Sequence, residues 1–432
     1  MKIKFVHGIS LIAIMGFVLA ACGPAETSTA MPATEMPHDM PTEMATEAPT
    51  EMPTEAPTEA ATEMPVTTSD TGAADLRVAL NTLLGEHVLL AASATNAALG
   101  GRNDEFEAAA AALDTNSVDL SEAIESVYGA DAGEAFLALW RSHIGFFVDY
   151  TTGVATQDQA KQDKAVEGLT GYATDFGAFL SGANPNLTQD AVAGLVSEHV
   201  LTLKDVVDAQ ASGDATAAFT SLRMAYGHMQ MVADALSGAI VEQFPDKFDG
   251  QTDTGAADLR VALNLLLAEH TSLAASATSA ALGGRNDEFE AAAAALDTNS
   301  VDLSEAIESV YGADAGEAFL ALWRSHIGFF VDYTTGVATQ DQAKQDKAVE
   351  DLTGYATDFG AFLSGANPNL TQDAVAGLVT EHVLTLKDVV DAQASGDATA
   401  AFTSLRMAYG HMQMVADPLA EAIVQQFPEN FQ

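Results

Sequence analysis

The sequence predicts an all-α protein made of two tandem, nearly identical antiparallel helical-bundle domains. Apolar residues recur at spacings of three and four, no alternating run of β-branched residues is bounded by turn signals, and one long segment occurs twice. Each copy is expected to hold about six helices around a four-helix core. The connections between helices are short, which favours antiparallel neighbours.

The duplicated segment defines the domain organisation. The heptapeptide Thr-Gly-Ala-Ala-Asp-Leu-Arg starts at Thr71 and again at Thr254, an offset of 254 − 71 = 183 residues. Aligning 71–249 with 254–432 leaves 14 mismatches in 179 positions. The predicted domains are therefore 71–249 and 254–432, each long enough to bury a core of its own and joined by a short polar linker.

Helix boundaries in the first repeat follow from its glycine and capping residues. The first helix is predicted over 75–99 and ends at Gly100-Gly101. Two short helices follow, over 106–113 and 120–128, and the polar residues of 114–119 are interpreted as helix caps between them. Gly129 then ends the second of these short helices.

The remaining helices of the repeat are longer. Thr188 and Asp214 are predicted to begin two of them, Gly213 to end one, and Asn184-Pro185 to follow another, because a residue before proline disfavours helix. The predicted spans are 131–152, 157–180, 188–211 and 214–244.

The chain is strongly acidic, with 61 Asp and Glu against 17 Lys and Arg and a formal net charge of −44. Phosphate backbones would repel such a polyanion, so a nucleic-acid partner is excluded. The 48% of hydrophobic residues suffices for packed cores, which places the acidity on the surface. The only cysteine, Cys22, excludes a disulfide framework, a Cys-rich zinc site and an iron–sulfur cluster.

The N-terminal residues are typical of a signal for export and membrane anchoring. Lys2 and Lys4 precede an apolar run from Ile9 to Ala21, which is short for a membrane span and typical of a signal peptide. The run ends Leu-Ala-Ala-Cys22, which resembles a bacterial lipobox. We expect residues 1–22 to be a lipoprotein signal peptide and lipidated Cys22 to anchor the protein to a membrane on the extracytoplasmic side of the cell envelope. A simple secretory signal is the alternative.

Residues 23–70 form a low-complexity segment rich in Thr, Glu, Pro and Met. Frequent proline prevents helix and like charges extend the chain, so this segment is predicted to be a disordered acidic stalk. Its methionines and His38 are candidate soft copper ligands. The alternative is that methionine is only one variable letter of a Thr-Glu-x-Pro repeat.

The histidines are the main candidate functional residues. Each repeat has four, each near the middle of a different long helix; three lie on apolar stripes, and His228 lies about 100° to the side of its stripe. Mid-helix positions of antiparallel helices meet at one height, so a four-histidine layer is predicted inside each bundle. The candidate ligands are His87, His143, His199 and His228, with the copies His270, His326, His382 and His411.

A buried layer of neutral imidazoles indicates a transition-metal site, with copper favoured. Methionine, which offers a soft sulfur ligand, lies close to His228 in the sequence: Met229 and Met231 follow it, and Met224 precedes it by four residues. The copies of the two that follow are Met412 and Met414. The alternatives are a hydrogen-bonded polar layer that only specifies the bundle, and a haem or other cofactor. Core filling is the alternative role for the methionine that directly follows the histidine.

Carboxylate and catalytic chemistry are not indicated. A di-iron site needs Glu-x-x-His on one helix face, whereas Glu86-His87 and Glu198-His199 are adjacent pairs that point about 100° apart. We therefore expect both glutamates at the rim of the bundle. A nucleophile elbow, a P-loop and a dinucleotide-binding motif are all missing, so nothing argues for an enzyme.

One further pattern favours copper. The segment Leu139-Trp-Arg-Ser-His-Ile-Gly-Phe-Phe-Val-Asp-Tyr150, with Tyr226-Gly-His-Met229, resembles secreted bacterial helical proteins carried under a copper-amine-oxidase-type name. The resemblance covers both repeats and implies no specific function. True copper amine oxidases are β-rich and form a quinone from the tyrosine of an Asn-Tyr-Asp/Glu motif, and this sequence has neither feature.

These expectations describe a surface-anchored lipoprotein that binds a transition metal, copper foremost, inside each bundle and acts as a buffer, chaperone or sensor. The alternative function is a structural or protein-interaction module whose buried histidines only specify the bundle. The sequence points to no particular protein partner.

Overall fold

The computed structural model describes residues 67–431 and contains twelve α-helices, with no strand in that range. The all-α prediction is confirmed, as are six helices in each repeat. The predicted signal peptide, Cys22 and nearly all of the predicted stalk lie outside the described residues. The helices are α1 (Gly72–Leu99), α2 (Asn103–Tyr128), α3 (Ala130–Ala155), α4 (Gln159–Ala183), α5 (Gln189–Ser212), α6 (Ala215–Gln243), α7 (Gly255–Leu282), α8 (Asn286–Tyr311), α9 (Ala313–Thr339), α10 (Gln342–Ala366), α11 (Gln372–Ser395) and α12 (Ala398–Gln426).

Local capping explains where most of these helices start and stop. The side chains of Thr71, Asp158, Thr188 and Asp214 each accept a hydrogen bond from the backbone N–H three residues later. Such a bond satisfies one of the N–H groups that the first turn of a helix leaves free. Gly213 ends α5 with φ +75°, a left-handed conformation that glycine adopts without steric cost.

The six helices of each repeat close into a ring. Each helix packs against the next one along the chain, and the last packs back against the first. The short loops make consecutive helices antiparallel, so α1, α3 and α5 run in the same direction, and these three also contact one another across the ring. Residues at mid-height on these alternate helices therefore converge on one point.

The prediction of two short helices separated at 114–119 is wrong, because α2 is continuous through this stretch. The fully buried Asn116 donates hydrogen bonds from its side-chain amide to the carbonyl oxygen of Leu83 (2.9 Å) and to a carboxylate oxygen of Glu86 (2.8 Å). The hydroxyl of Ser117 donates to a carbonyl one turn earlier in α2. These polar side chains have partners on α1 or within α2, so they do not cap helix ends.

The two repeats pack against each other as one compact unit, Val66–Gln432. The helix pairs in contact are α1 with α7, α6 with α8, and α2 with α12. The main buried cluster of the first repeat also includes Val261, Leu265, Ala268 and Tyr409 of the second. Each ring therefore completes part of its core with side chains from the other repeat.

Buried ion pairs connect the repeats in a reciprocal pattern. Arg406 binds both carboxylate oxygens of Glu86, each at 3.0 Å, and its counterpart Arg223 binds those of Glu269 at 2.9 and 3.0 Å. Glu86 is only 6% exposed, so its predicted place at the rim of the bundle is wrong, whereas Glu198 is exposed as predicted. The contact that buries Glu86 comes from the other repeat, 320 residues away in sequence.

A second reciprocal set of ion pairs joins the starts of α1 and α7. Arg77 donates to Asp258 at 2.5 Å, and Arg260 donates to Asp75 at 2.6 Å. Arg77 and Arg260 occupy equivalent positions in the two repeats, and so do their partners Asp75 and Asp258. Each arginine therefore pairs with the aspartate of the other repeat. The contact between the repeats is therefore pseudo-symmetric, like that of a two-fold dimer.

The last residues of the predicted stalk pack on the second repeat. The backbone N–H and the hydroxyl of Ser69 donate to the carboxylate of Glu421 at 2.7 and 2.8 Å, and the hydroxyl of Thr68 donates to it at 2.9 Å. Arg260 also donates to the carbonyl oxygen of Ser69 at 3.0 Å. Thr68 and Ser69, which the sequence assigns to the stalk, therefore contact the second repeat.

Among the described residues, α1 is the one helix whose length and hydropathy suffice to cross a membrane, and 78% of its most apolar stretch is buried inside the protein. Helices at the centre of a packed core have the same composition. The packing of α1 against α2, α6 and α7 accounts for its apolar sequence.

Candidate metal centre

Three of the four predicted histidines meet inside each ring. His87 on α1, His143 on α3 and His199 on α5 each offer a ring nitrogen, and these nitrogens all lie within 4.8 Å of one another. The Nε2 atoms of His87 and His143 are 3.3 Å apart. The second repeat forms the same group, and its members are His270, His326 and His382.

The three imidazoles are buried and short of hydrogen-bond partners. His87 and His143 are each 1% exposed and His199 is 4% exposed. Neither ring nitrogen of His199 has a hydrogen-bond partner, and Nδ1 of His87 has none either. Nearly all buried polar groups in proteins are hydrogen-bonded, and leaving one unpaired costs about 1–3 kcal/mol. The Nε2 atoms of His87 and His143 are within hydrogen-bond distance of each other, so His199, unpaired at both nitrogens, is the ring that most clearly lacks a partner.

Burial keeps these imidazoles neutral at physiological pH. It lowers the pKa of His87, and the neighbouring His143 and His199 lower it further. Burial, and to a smaller extent the neighbouring His199, lowers the pKa of His143 to about 3. A hydrogen bond with the Trp140 backbone acts in the opposite direction. Burial and the nearby His228 lower the pKa of His199 to about 4. Neutral imidazole is the form that ligates a metal ion.

Aromatic and apolar side chains surround the group. The Trp140 ring centroid lies 4.5 Å from that of His143 and 4.8 Å from that of His87, and the Tyr172 centroid lies 4.8 Å from that of His143. The Tyr172 hydroxyl is buried without a partner. A cavity of about 30 Å³, lined mainly by apolar side chains, adjoins His143 and His199, and the second repeat has a cavity of the same volume.

The spacing of the nitrogens suits a small metal ion. Metal–nitrogen bonds of about 2.0–2.1 Å at tetrahedral or trigonal angles place ligand nitrogens about 3.3–3.6 Å apart. The His87–His143 separation of 3.3 Å matches this value. The widest pair, at no more than 4.8 Å, needs to close by about an ångström, which side-chain rotation can supply.

No carboxylate belongs to either group within residues 67–431. Glu86 is next to His87 in sequence, but its two oxygens bind Arg406 of the other repeat. The donor set is therefore three neutral nitrogens. Such a set suits copper or zinc and does not suit magnesium or calcium, which prefer oxygen ligands.

The fourth predicted histidine lies outside this group. His228 is on α6, and its Nε2–H donates a hydrogen bond of 2.8 Å to the carbonyl oxygen of Leu195 on α5. Its copy His411 makes the same bond to Leu378 at 3.0 Å. The predicted four-histidine layer is therefore a three-histidine group, with the fourth imidazole held between two neighbouring helices.

The methionines near His228 divide between the core and the surface. Met229 is 2% exposed and lines the cavity beside the three histidines, and its copy Met412 does the same. Met231 and Met414 are each 59% exposed. Met229 and Met412 therefore lie beside the histidine groups, whereas Met231 and Met414 lie at the surface.

Sequence reasoning missed two kinds of residue at the centre. Trp140 precedes His143 by three positions on the same helix face, a spacing that could have identified the ring that packs edge-on against the imidazole. The partner of Glu86 carries no local signal, because Arg406 lies in the other repeat. Recognising it would have required the arrangement of the two repeats.

Comparison with known proteins adds no relative. The chain matches no protein-family model, no curated protein and no solved structure. The resemblance to helical proteins with a copper-oxidase-type name therefore stays an expectation. The geometry of the histidine groups is the basis for the function proposed below.

Proposed function

We propose that each repeat binds one transition-metal ion, copper foremost, through its three-histidine group. The observation that supports this proposal is the convergence of three buried, neutral imidazoles, one of which, His199, has no hydrogen-bond partner at either ring nitrogen. A metal ion satisfies all three lone pairs at once. A purely structural layer would instead pair these nitrogens with hydroxyls or carbonyls.

The charge of the surroundings favours Cu(I) over divalent ions. The free energy required to bury an ion rises with the square of its charge, and this site offers no anionic ligand to compensate. A monovalent ion bound by three neutral nitrogens adds one buried charge, whereas Zn(II) or Cu(II) adds two. Imidazole is also a suitable ligand for copper.

The predicted lipid anchor gives this activity a location. We propose that lipidated Cys22 holds the protein on the extracytoplasmic side of a membrane, with the acidic segment 23–66 as a spacer. Metal held in a buried site far from bulk water suits a buffer, a chaperone or a sensor. The membrane is then the one partner that the sequence specifies, because the net charge of −44 disfavours nucleic acid.

Copper titration of the full-length protein tests the metal proposal. His199→Phe should remove one bound Cu(I) per chain, and His199→Phe combined with His382→Phe should remove two, as measured by competition with a chromophoric chelator. Copper should raise the melting temperature of the unmodified chain, because only the folded ring assembles the ligands. Equal copper binding by all three proteins would contradict the proposal and leave the structural alternative.

Membrane fractionation tests the anchor separately. Cys22→Ser should move the protein from the membrane fraction to the soluble fraction, because one residue carries the lipids. Copper binding by the released protein should be unchanged, since the histidine groups lie elsewhere in the chain. Retention of the variant in the membrane fraction would contradict the lipobox interpretation.

A further inference from the structure

Helix α6 carries a second set of side chains of metal-ligating type outside the three-histidine group, namely two exposed methionines and a histidine that is 8% exposed. Met224, His228 and Met231 occupy positions i, i+4 and i+7 of this helix. At about 100° per residue these positions lie within about 60° of one another around the axis. The counterparts on α12 are Met407, His411 and Met414.

The two methionines of this set are unusually exposed. Met224 is 63% exposed and Met231 is 59% exposed, and their copies have nearly the same values. These four methionines are half of the eight large hydrophobic side chains exposed in the part of the chain that the structure describes. Most large apolar side chains of these repeats are buried, so this face of α6 exposes thioether sulfur to an unusual extent.

His228, which lies between these methionines in the sequence, has a free lone pair on its Nδ1 atom. Nε2 of His228 faces the carbonyl oxygen of Leu195 at 2.8 Å, and a carbonyl only accepts, so the proton sits on Nε2. Nδ1 then carries the lone pair. No protein group within the described residues hydrogen-bonds to Nδ1, and it is not among the fully buried nitrogens, so it contacts solvent.

We propose that Met224, His228 and Met231 form a surface site for a soft monovalent cation, Cu(I), and that the counterpart residues on α12 form a second one. Two thioether sulfurs and one imidazole nitrogen are ligands that select Cu(I) over hard cations. Residues one turn apart have Cβ atoms about 5–6 Å from each other, and the long, flexible methionine side chain spans that distance. Binding forms coordination bonds only, and no electron or proton is transferred.

This site shares no ligand with the three-histidine group, although His228 is near enough to His199 to lower its pKa. The strongly acidic surface raises the local concentration of cations.

Ag(I), a redox-stable probe with the same charge and softness, tests the site in the full-length protein. Met224→Leu, Met231→Leu, Met407→Leu and Met414→Leu together remove the four sulfurs and keep the apolar bulk. This variant should bind two fewer Ag(I) ions per chain than the unmodified protein in competition with a chelator. The matched control is Leu201→Ala with Leu384→Ala, which removes exposed apolar side chains without sulfur and should bind as many Ag(I) ions as the unmodified protein.

Methyl NMR of methionine-labelled full-length protein locates the bound ion. Ag(I) should shift the methyl signals of Met224 and Met231 together, and Met224→Leu alone should weaken binding at that site at least about tenfold. Leucine at exposed positions leaves the fold intact, which circular dichroism checks. Equal Ag(I) stoichiometry in the fourfold variant, or unshifted methyl signals, would overturn the proposal. His199→Phe should leave these signals unaffected, so failure here is separable from failure of the buried site.

Discussion

Buried ionisable residues in this protein avoid an unpaired buried charge in two ways: some are neutral, and others form ion pairs. The histidines inside each ring stay neutral, because burial lowers the pKa of His143 to about 3 and that of His199 to about 4. Glu86 instead keeps two direct contacts with the Arg406 guanidinium from the other repeat. The first solution leaves lone pairs available for a ligand, and the second uses charge to hold the repeats together.

Replacing Glu86 tests the second solution. Glu86→Gln keeps the size of the side chain but removes the charge that Arg406 pairs with, so we expect the free energy of unfolding to fall by about 2 kcal/mol. Chemical denaturation measures this change. The control Glu198→Gln alters an exposed glutamate beside another of the three histidines and should change stability by less than about 0.5 kcal/mol. Equal effects of the two substitutions would show that the ion pair contributes nothing.

The histidine groups should make the metal-free protein sensitive to acid. The pKa of His199 is 6.5 when unperturbed and about 4 in the folded chain, so the unfolded state binds more protons between these values. The stability from this residue is complete above about pH 6.5 and decreases as the pH falls, by about 3 kcal/mol at pH 4. Denaturation of the chelator-treated protein at several pH values measures the slope.

The control for this pH dependence is His199→Leu, which removes the titrating group. Its stability should change less between pH 6.5 and pH 4 than that of the unmodified protein, whatever its stability at neutral pH. Carboxylates titrate in the same range in both proteins, so the difference between the two slopes isolates the imidazole. Parallel slopes would contradict the low pKa of His199.

At the level of helices, the sequence predicted what local chemistry determines. The starts of α5 and α6 follow the capping residues Thr188 and Asp214, and the end of α5 follows Gly213, all as predicted. The break predicted at 114–119 failed, because Asn116 hydrogen-bonds to residues of α1. Local propensity cannot account for a partner supplied by another helix.

The same distinction explains the candidate site. The spacing of His87, His143 and His199 along apolar stripes correctly placed three imidazoles inside the ring. The sequence could not decide whether His228 faces the other histidines, because it lies about 100° from the apolar stripe of its helix. Its hydrogen bond to Leu195 depends on how α5 and α6 are rotated about their axes. Periodicity gives the buried face of a helix, and the neighbouring helix decides what an intermediate position contacts.

Substitution of Asn116 tests the tertiary explanation for the continuous α2. Asn116→Ala should leave the helical circular dichroism signal unchanged, because alanine favours helix more than asparagine does. The free energy of unfolding should nevertheless fall by about 1–2 kcal/mol, since the Leu83 carbonyl and the Glu86 carboxylate each lose a donor. The exposed neighbour Thr115→Ala is the control, with no expected loss. A stability of the Asn116 variant equal to that of the control would contradict this role.

For the whole molecule, the differences between the repeats fall mainly where the repeats meet. Five of the 14 mismatches lie in α1 and seven lie in 235–249, so 5 + 7 = 12 of them fall in or beside helices that contact the other repeat. Glu421, which accepts hydrogen bonds from Ser69, replaces Gly238 of the first repeat. Duplication produced a symmetric contact, and later changes made its two halves different.

This origin predicts the behaviour of a single repeat. The isolated segment 71–249 exposes the apolar surface and the Glu86 carboxylate that the second repeat covers in the full chain. It also carries Arg223, the counterpart of Arg406. Because each repeat supplies both members of the reciprocal ion pair, two copies of 71–249 should associate with Arg223 of each copy against Glu86 of the other.

Light scattering and sedimentation should show that 71–249 is a dimer at micromolar concentration, and its melting temperature should rise with protein concentration. Arg223→Ala should shift the equilibrium toward monomer, because it leaves a buried carboxylate unpaired in each half of the contact. The control is Arg141→Ala, whose partner Asp114 lies in the same repeat and forms an exposed pair. A stable, well-folded monomer of 71–249 would contradict this prediction. It would mean that each ring is complete alone and that the ion pairs between the repeats only orient two independent domains.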